Sequence, residues 1–360
     1  MTEAGKGVAE KLRKAYALFL EYDRKSNIRA ATMYYGKSVE EAERAWSILY
    51  KPSYFEFESL AYGLLRLGHV RALVRAALIL PEKALNVARA LEEVGILELM
   101  DDGSVKVVVE PFRIRDLDPS ILDIVPEIKA DFGLDQLQCS RESLLARISE
   151  INKDLPLDGK SVALMGDDDF QSLVLAGSFD VRVTVFELDE RILAAIAKIA
   201  ERKGFSVELV RHDLTEPLPE KHKNSYDLFL ADPTYTLSGI ETFCLRGWEA
   251  LVKERGRRGY VSFLPDELGK KLSRVFQSIS TLGFSIERIV VGLNSYIVEK
   301  DSPIYRLVNE ATAEMKRSTQ LTDSVVAYLS NLYVLKLEDP DAGRDFRPSP
   351  APIYDYYALD

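Results

Sequence analysis

A chain of 360 residues has room for one to three domains and a substantial core. With 47% hydrophobic and 29% charged residues it is not a largely disordered chain. A net charge of −10 argues against broad electrostatic capture of nucleic acid and suits a cationic substrate.

Met1 to Lys14 lacks the apolar core of a signal peptide, and no later segment is long and apolar enough to span a bilayer. Lys11 to Tyr22 predicts a helix, because Leu12, Tyr16, Phe19 and Leu20 recur at helical spacing. Val39 to Tyr50 predicts a second, entered through Ser38 as N-cap with Glu41 three residues on. Beyond Pro52 come three short helical patterns, Phe55 to Leu67, His69 to Ile79 and Glu82 to Glu93, the last opened by Pro81. Gly95 closes it, and Ile96 to Met100, Asp101-Asp102-Gly103 and Val105 to Val109 form a hairpin pattern. Helices followed by a two-stranded wing suggest a winged helix. Shape of that kind does not imply function. Residues 1–110 are therefore expected to serve assembly, such as a homodimer, or to enclose a site, and not to bind nucleic acid.

Glu110 to Gly133 carries three prolines and mixed charge, and residues 111–135 read as a connector. Cys139 and Cys244 lie far apart and form no metal-ligand pattern, which predicts a reduced, cytoplasmic setting. Scarce Cys and Met beside abundant Glu, Lys and Arg fit a thermophile. Ser140 caps an amphipathic helix carrying Leu144, Leu145, Ile148 and Ile151, with Glu142 in its first turn.

From Lys160 strands and helices alternate. Strands are predicted at Ser161 to Met165, Val181 to Phe186, Ser206 to Val210, Tyr226 to Ala231 and Gly259 to Phe263. Helices are predicted at Gln171 to Ala176, Glu190 to Arg202, Ile240 to Lys253 and Leu268 to Leu282. Phe284 to Leu293 and Asn331 to Leu337 follow as two late strands, suited to a hairpin with an antiparallel member. Residues 136–338 are thus expected to form an α/β domain with a Rossmann-like, methyltransferase-type, mostly parallel sheet. The segment from Asp339 to Asp360, rich in Pro, Asp and Tyr, reads as a mobile tail.

The first of these strands ends at Gly166 and runs into Asp167-Asp168-Asp169-Phe170, where open α/β folds bind ligands. A helix N-terminus favours one negative group, whereas three adjacent ones repel each other, so the cluster predicts a bound cation. Other strand ends add Glu187 with Asp189, Asp213 and Asp232 along the same edge. Glu187 follows Gly166 at about the twenty-residue spacing at which an acid accepts from both ribose hydroxyls. Asp213 either accepts from an adenine amino group or forms a surface turn, and Asp189 either binds ligand or caps the next helix. Asp232-Pro233-Thr234-Tyr235 partly matches the Asp/Asn-Pro-Pro-aromatic motif of methyltransferases acting on amino nitrogens, with Thr234 in place of the second proline. Asp232 would accept from the nitrogen while Tyr235 packs against the substrate.

Gly166-Asp167-Asp168-Asp169 with Asp232-Pro233-Thr234-Tyr235-Thr236 resembles the branched-chain polyamine synthases of thermophiles, and Asp135-Gln136 resembles a further segment of that family. The resemblance implies transfer of the aminopropyl group of decarboxylated S-adenosylmethionine to spermidine or a similar polyamine. It also implies a small N-terminal domain, a Rossmann-like catalytic domain, a flexible tail, and the catalytic acid/base at Asp169. Charge agrees independently. Three aspartates would repel the carboxylate of S-adenosylmethionine, whereas the decarboxylated donor and a polyamine are cationic, so no metal or further cofactor is expected. In this reading Asp169 receives the proton of the attacking amine. Asp167 or Asp168 holds the flanking ammonium groups, Asp232 accepts from the reacting nitrogen, and Gly166 and Pro233 join the substrate-binding residues. The competing reading is an S-adenosylmethionine-dependent N-methyltransferase acting on amino groups of nucleic acid or protein, which has little use for the acidic loop.

Overall fold

The computed structural model describes residues 3–297 and 326–355. The chain divides into two compact units, Met1–Arg115 with Asn152–Asp158, and Asp116–Ile151 with Gly159–Asp360.

In the first unit, helices α1 (Glu3–Tyr35), α2 (Val39–Ala45), α3 (Tyr54–Leu67), α4 (Val70–Ala77) and α5 (Pro81–Glu93) precede β1 (Leu97–Leu99) and β2 (Val105–Val107). Helix α1 runs well beyond Tyr22. Apolar periodicity lapses there, but Arg24, Lys25, Arg29, Ala30 and Ala31 are strong helix formers that carry it on. Ser38 with Glu41, and Ser53 with Glu56, close reciprocal capping boxes that fix the starts of α2 and α3. Past Ala45 the chain widens into a π turn, Trp46–Tyr50. Phe19, Phe57, Leu64, Leu73, Val87 and Leu91 form the core of this unit. The hairpin pairs Leu97 with Val107, antiparallel.

The second unit opens with α6 (Arg141–Asp154), capped by the Ser140 hydroxyl, which accepts from the Ser143 N–H at 3.1 Å. It continues through β3 (Ser161–Met165), α7 (Gln171–Ser178), β4 (Arg182–Glu187), α8 (Glu190–Lys203), β5 (Val207–Arg211), β6 (Leu228–Ala231), α9 (Leu237–Ala250) and β7 (Arg258–Phe263). Then come α10 (Pro265–Leu268), α11 (Leu272–Thr281), β8 (Phe284–Ile297) and β9 (Val326–Leu337). The helix expected over Leu268 to Leu282 is broken because Gly269 takes a left-handed φ of 49° that ends α10.

The seven strands are ordered β5-β4-β3-β6-β7-β9-β8. Strands β3 to β7 are parallel, and β9 inserts antiparallel between β7 and β8. This is the Rossmann-like, methyltransferase-type sheet. Its core packs α9 on the central strands around Phe229, whose ring lies so close to Gly247 and Gly259 that a Cβ at either would sit within 2.4 Å of it. Among the described residues no helix is long and apolar enough to cross a membrane.

One expectation is corrected here. The segment from Asp339 is docked as far as it is described. The Ile353 carbonyl accepts from the hydroxyls of Thr234 and Thr236, each at 2.7 Å, and the Ser349 N–H donates to Glu241 at 2.6 Å. These bonds satisfy backbone groups that a free tail would leave to water. Residues 356–360 of that tail lie outside the described residues.

Candidate active site

Of the candidate residues, Gly166, Asp168, Glu187, Asp213 and Asp232 line one crevice at the carboxyl ends of β3 to β6, together with His212, Phe243 and Tyr354. Asp167, Asp169, Asp189, Pro233 and Tyr235 are not on its lining. The turn after β3 explains the division among the three aspartates. Gly166 adopts φ 76°, and Phe170, its ring fully buried, is itself left-handed at φ 58°. A non-glycine residue held so is strained by about 1–3 kcal/mol, a cost that buried packing on both sides offsets. The tight turn sends the carboxylates in different directions.

Asp167 is 1% exposed and turns inward, accepting the Ser172 N–H in the first turn of α7 at 3.2 Å. It therefore satisfies a helix terminus and is not placed to hold a substrate ammonium. Asp169, 3% exposed, accepts the Cys139 N–H at 2.6 Å and forms an ion pair with Arg147. Asp168 is half-buried and has no side-chain hydrogen-bond partner among the described residues. Burial, then the negative charges of Asp169, Asp232 and Glu187, push its carboxyl well above the ordinary range, with Arg147 opposing them.

Arg147 projects from α6 and is fully buried. Its Nε donates to Asn294 Oδ1 at 2.5 Å, and Nη2 donates to Asp232 Oδ2 at 2.6 Å and to the Tyr296 hydroxyl at 2.8 Å. Burial works against its charge, but the surrounding Cys139, Tyr296, Asp232 and Asp169 keep it protonated, well above its ordinary range. Asp232 is thus held by one oxygen, which also accepts from Tyr296 at 2.6 Å. Its Oδ1 receives a long 3.4 Å bond from the Tyr235 hydroxyl. Tyr235 is buried, with its hydroxyl 3.0 Å from that of Tyr296, and braces Asp232 instead of packing against the crevice; Pro233 beside it is buried.

Glu187 is fixed by three backbone N–H donors, those of Asp167 at 3.0 Å and of Leu188 and Asp189, each at 2.8 Å. Burial raises its pKa against the pull of those donors. Asp189 caps α8 through the Arg191 N–H at 2.8 Å and pairs with the Arg191 side chain at 2.6 Å. Arg191 draws its carboxyl down to about 2. This occupation corrects its assignment to substrate. Asp213 faces the crevice from a surface turn, its Oδ1 taking the Thr215 N–H at 2.9 Å. Tyr354, from the docked tail, is pushed up to about 12 by burial and then by Glu187 and Asp213.

Arg147, Asn294 and Tyr296 escaped the sequence reading. The signal for Arg147 was present: it falls between Leu144, Ile148 and Ile151 on the buried face of α6, where an unpaired arginine would be costly.

The description "Branched-chain polyamine synthase A C-terminal domain" matches residues 122–342, more than half of the chain. An uncharacterized protein of Methanocaldococcus jannaschii is 32% identical over 185 residues, 50% of this chain and 46% of the relative. The N(4)-bis(aminopropyl)spermidine synthase of the same organism is 32% identical over 177 residues, 48% of this chain and 49% of that enzyme. The synthase of Thermus thermophilus is 38% identical over 137 residues, 38% of this chain and 39% of the enzyme. The chain therefore spans about half or less of the length of the curated relatives it matches. In three dimensions it resembles the Thermus thermophilus branched-chain polyamine synthase C9 mutein, solved with N4-aminopropylspermidine and 5'-methylthioadenosine, with a TM-score of 0.56 and 22% identity over 92% of this chain and 97% of that one. That likeness supports the fold. By the match over residues 122–342, the chain belongs to the branched-chain polyamine synthase family.

Proposed function

We propose that the protein transfers the aminopropyl group of decarboxylated S-adenosylmethionine to an amine of a polyamine such as spermidine. The observation that carries this reading is the pair formed by Asp168 and Asp232 Oδ1, two carboxylate groups on the crevice wall beside the nucleoside acid Glu187. Glu187 and Asp213 line the same crevice; in this reading the two oxygens of Glu187 take the ribose diol and Asp213 receives the adenine amino group. The donor's side chain then runs toward Asp168. A carboxylate there would meet like charge, and two unit charges about 4 Å apart interact by ~1 kcal/mol in water and ~4 kcal/mol at intermediate dielectric. The decarboxylated donor brings only its amine and sulfonium, both attracted. The acceptor is cationic as well, so one acidic crevice serves both substrates. Membership of the synthase family and the ligands of the Thermus structure support the same chemistry.

Transfer is an in-line displacement. A neutral amine lone pair attacks the propyl carbon next to sulfur, the carbon–sulfur bond breaks, and its electron pair leaves with sulfur as 5'-methylthioadenosine. The protein's task is to hold the two reactants in line and accept one proton from the ammonium. Calorimetry with the two nucleosides tests the donor assignment. The decarboxylated donor should bind at least tenfold more tightly, a difference of about 1.4 kcal/mol. Equal affinity would remove the electrostatic basis of the reading.

A further inference from the structure

Away from the crevice, the first unit leaves large apolar side chains in water. Met33, Tyr34 and Tyr35 at the end of α1, Val39 at the start of α2, and Ile48 and Tyr50 in the π turn are each more than half exposed. Loose packing does not put them there. Gly36, left-handed at φ 63°, turns the chain out of α1, and the Lys37 N–H closes the turn on the Ala31 carbonyl at 3.2 Å. Helix α2, its start fixed by the Ser38–Glu41 box, then packs back on α1. At the other end, the indole of the buried Trp46 donates to Asp23 of α1 at 2.8 Å, and the Tyr16 hydroxyl donates to the Pro52 carbonyl at 2.9 Å. The π turn between these anchors is a rare geometry that recurs at functional sites.

The hairpin of α1 and α2 thus carries two apolar clusters, one at its tip and one at the π turn. Asp23 and Tyr35 lie about 18 Å apart along α1 at the helical rise of ~1.5 Å per residue, which sets the spacing of the clusters. Single exposed hydrophobic residues need no explanation, but six on one hairpin do. Side chains of these sizes at these exposures present roughly 800 Å² together, against ~300–600 Å² for the largest patch on an ordinary monomer. A standard stable complex buries about 800 Å² per partner. Between the clusters lie charges of both signs, with Glu43 paired to Arg24 at 2.6 Å and Glu41 to Lys37 at 3.8 Å. Such a mixed polar border is what surrounds the apolar centre of a protein interface.

We propose that this hairpin is the interface between two copies of the chain, packed antiparallel about a two-fold axis so that the tip of each meets the π turn of the other. In a two-fold contact residue i meets j and j meets i, so one symmetric pairing buries two different clusters at once. Tyr34 and Tyr35 supply the large, stiff contact area enriched at interface centres. The inference concerns the first unit alone and stands whatever the crevice transfers.

Sedimentation equilibrium of the 360-residue protein tests it over about 1–100 μM, the range that separates micromolar from weaker association. The wild type should sediment at twice the chain mass. Tyr34→Lys and Ile48→Glu, one substitution in each cluster, should each weaken the dimer by about tenfold or more. Mixed in equal amounts, the two variants should dimerise more tightly than either alone. Opposite charges then meet at one tip-to-turn contact, and the other contact is wild type. A wild type that stays monomeric at ~100 μM overturns the proposal, and so does either variant dimerising as tightly as the wild type. Mixing that restores nothing refutes the tip-to-turn pairing. A wild-type monomer that sediments with vesicles of phosphatidylcholine and phosphatidylglycerol makes the patch a membrane surface and ends the proposal. If a variant does not fold, hydrogen exchange of the wild type decides: residues 33–50 should exchange more slowly at ~100 μM than at ~1 μM. Unchanged exchange there, in a protein of twice the chain mass, places the interface elsewhere.

Discussion

The hydroxyl of Thr234 donates to the carbonyl of Ile353 at 2.7 Å, so the residue standing in place of the motif's second proline ties the C-terminal segment to the turn after β6. Thr236 makes a second bond to the same carbonyl, and the next residue, Tyr354, lines the crevice. Removing one such neutral bond costs about 1 kcal/mol. Thr234→Val should therefore raise hydrogen exchange in residues 349–355 by about fivefold and weaken nucleoside binding by a similar factor. Unchanged exchange would mean that Thr236 alone anchors the segment.

Arg147 carries a larger burden. Deleting one partner of a buried ion pair destabilises by about 3–5 kcal/mol, since the remaining charges stay buried without compensation. Arg147→Met is expected to lose that much. The two units differ in their single tryptophans, Trp46 and Trp248. Urea unfolding read by Trp248 fluorescence in a Trp46→Phe background isolates the second unit. A loss below about 1 kcal/mol would show that the network is relaxed by water.

How far the sequence could be read depended on how local the cause was. The strand after Lys160 and the turn at Gly166 were legible because an apolar run and a glycine act within a few residues. That Glu187 shares the crevice with Gly166 was legible from the spacing between them. The separation of Asp167, Asp168 and Asp169 was not, because it depends on Phe170 being forced into a left-handed conformation by packing. The docked tail was illegible for another reason: Thr234 meets Ile353 from 119 residues away, and polar, proline-rich segments ordinarily read as free. Helix α1 outran its apolar stripe because its later turns rest on propensity.

Asp189 supplies a pH prediction. Its folded pKa of about 2, set by Arg191, lies below the unfolded value, so its stabilisation is present above the unfolded pKa and is lost as pH falls from about 4 towards 2. Arg191 is 46% exposed, so solvent screens the pair, and the cap bond dominates. Asp189→Asn keeps a capping oxygen and should cost less than about 1 kcal/mol at neutral pH, whereas Asp189→Ala should cost ~1 kcal/mol. Both differences should shrink below pH 3 in thermal melts. A gap that widens on acidification would reverse the sign argued here.

Glu187→Gln replaces one acceptor oxygen by a donor facing backbone N–H groups at about 3 Å, so the turn and the proposed ribose site are disturbed together. Binding of 5'-methylthioadenosine and of both donors should weaken by about tenfold or more, with their order preserved. An altered preference between donors would place the ribose elsewhere.

The central claim is tested most directly by the mass of the product. The 360-residue protein is incubated with spermidine and, in separate reactions, with decarboxylated S-adenosylmethionine or S-adenosylmethionine. The account predicts an aminopropylated polyamine and 5'-methylthioadenosine from the decarboxylated donor, and no product from the other. A methylated amine formed from S-adenosylmethionine, with no transfer from the decarboxylated donor, would contradict it.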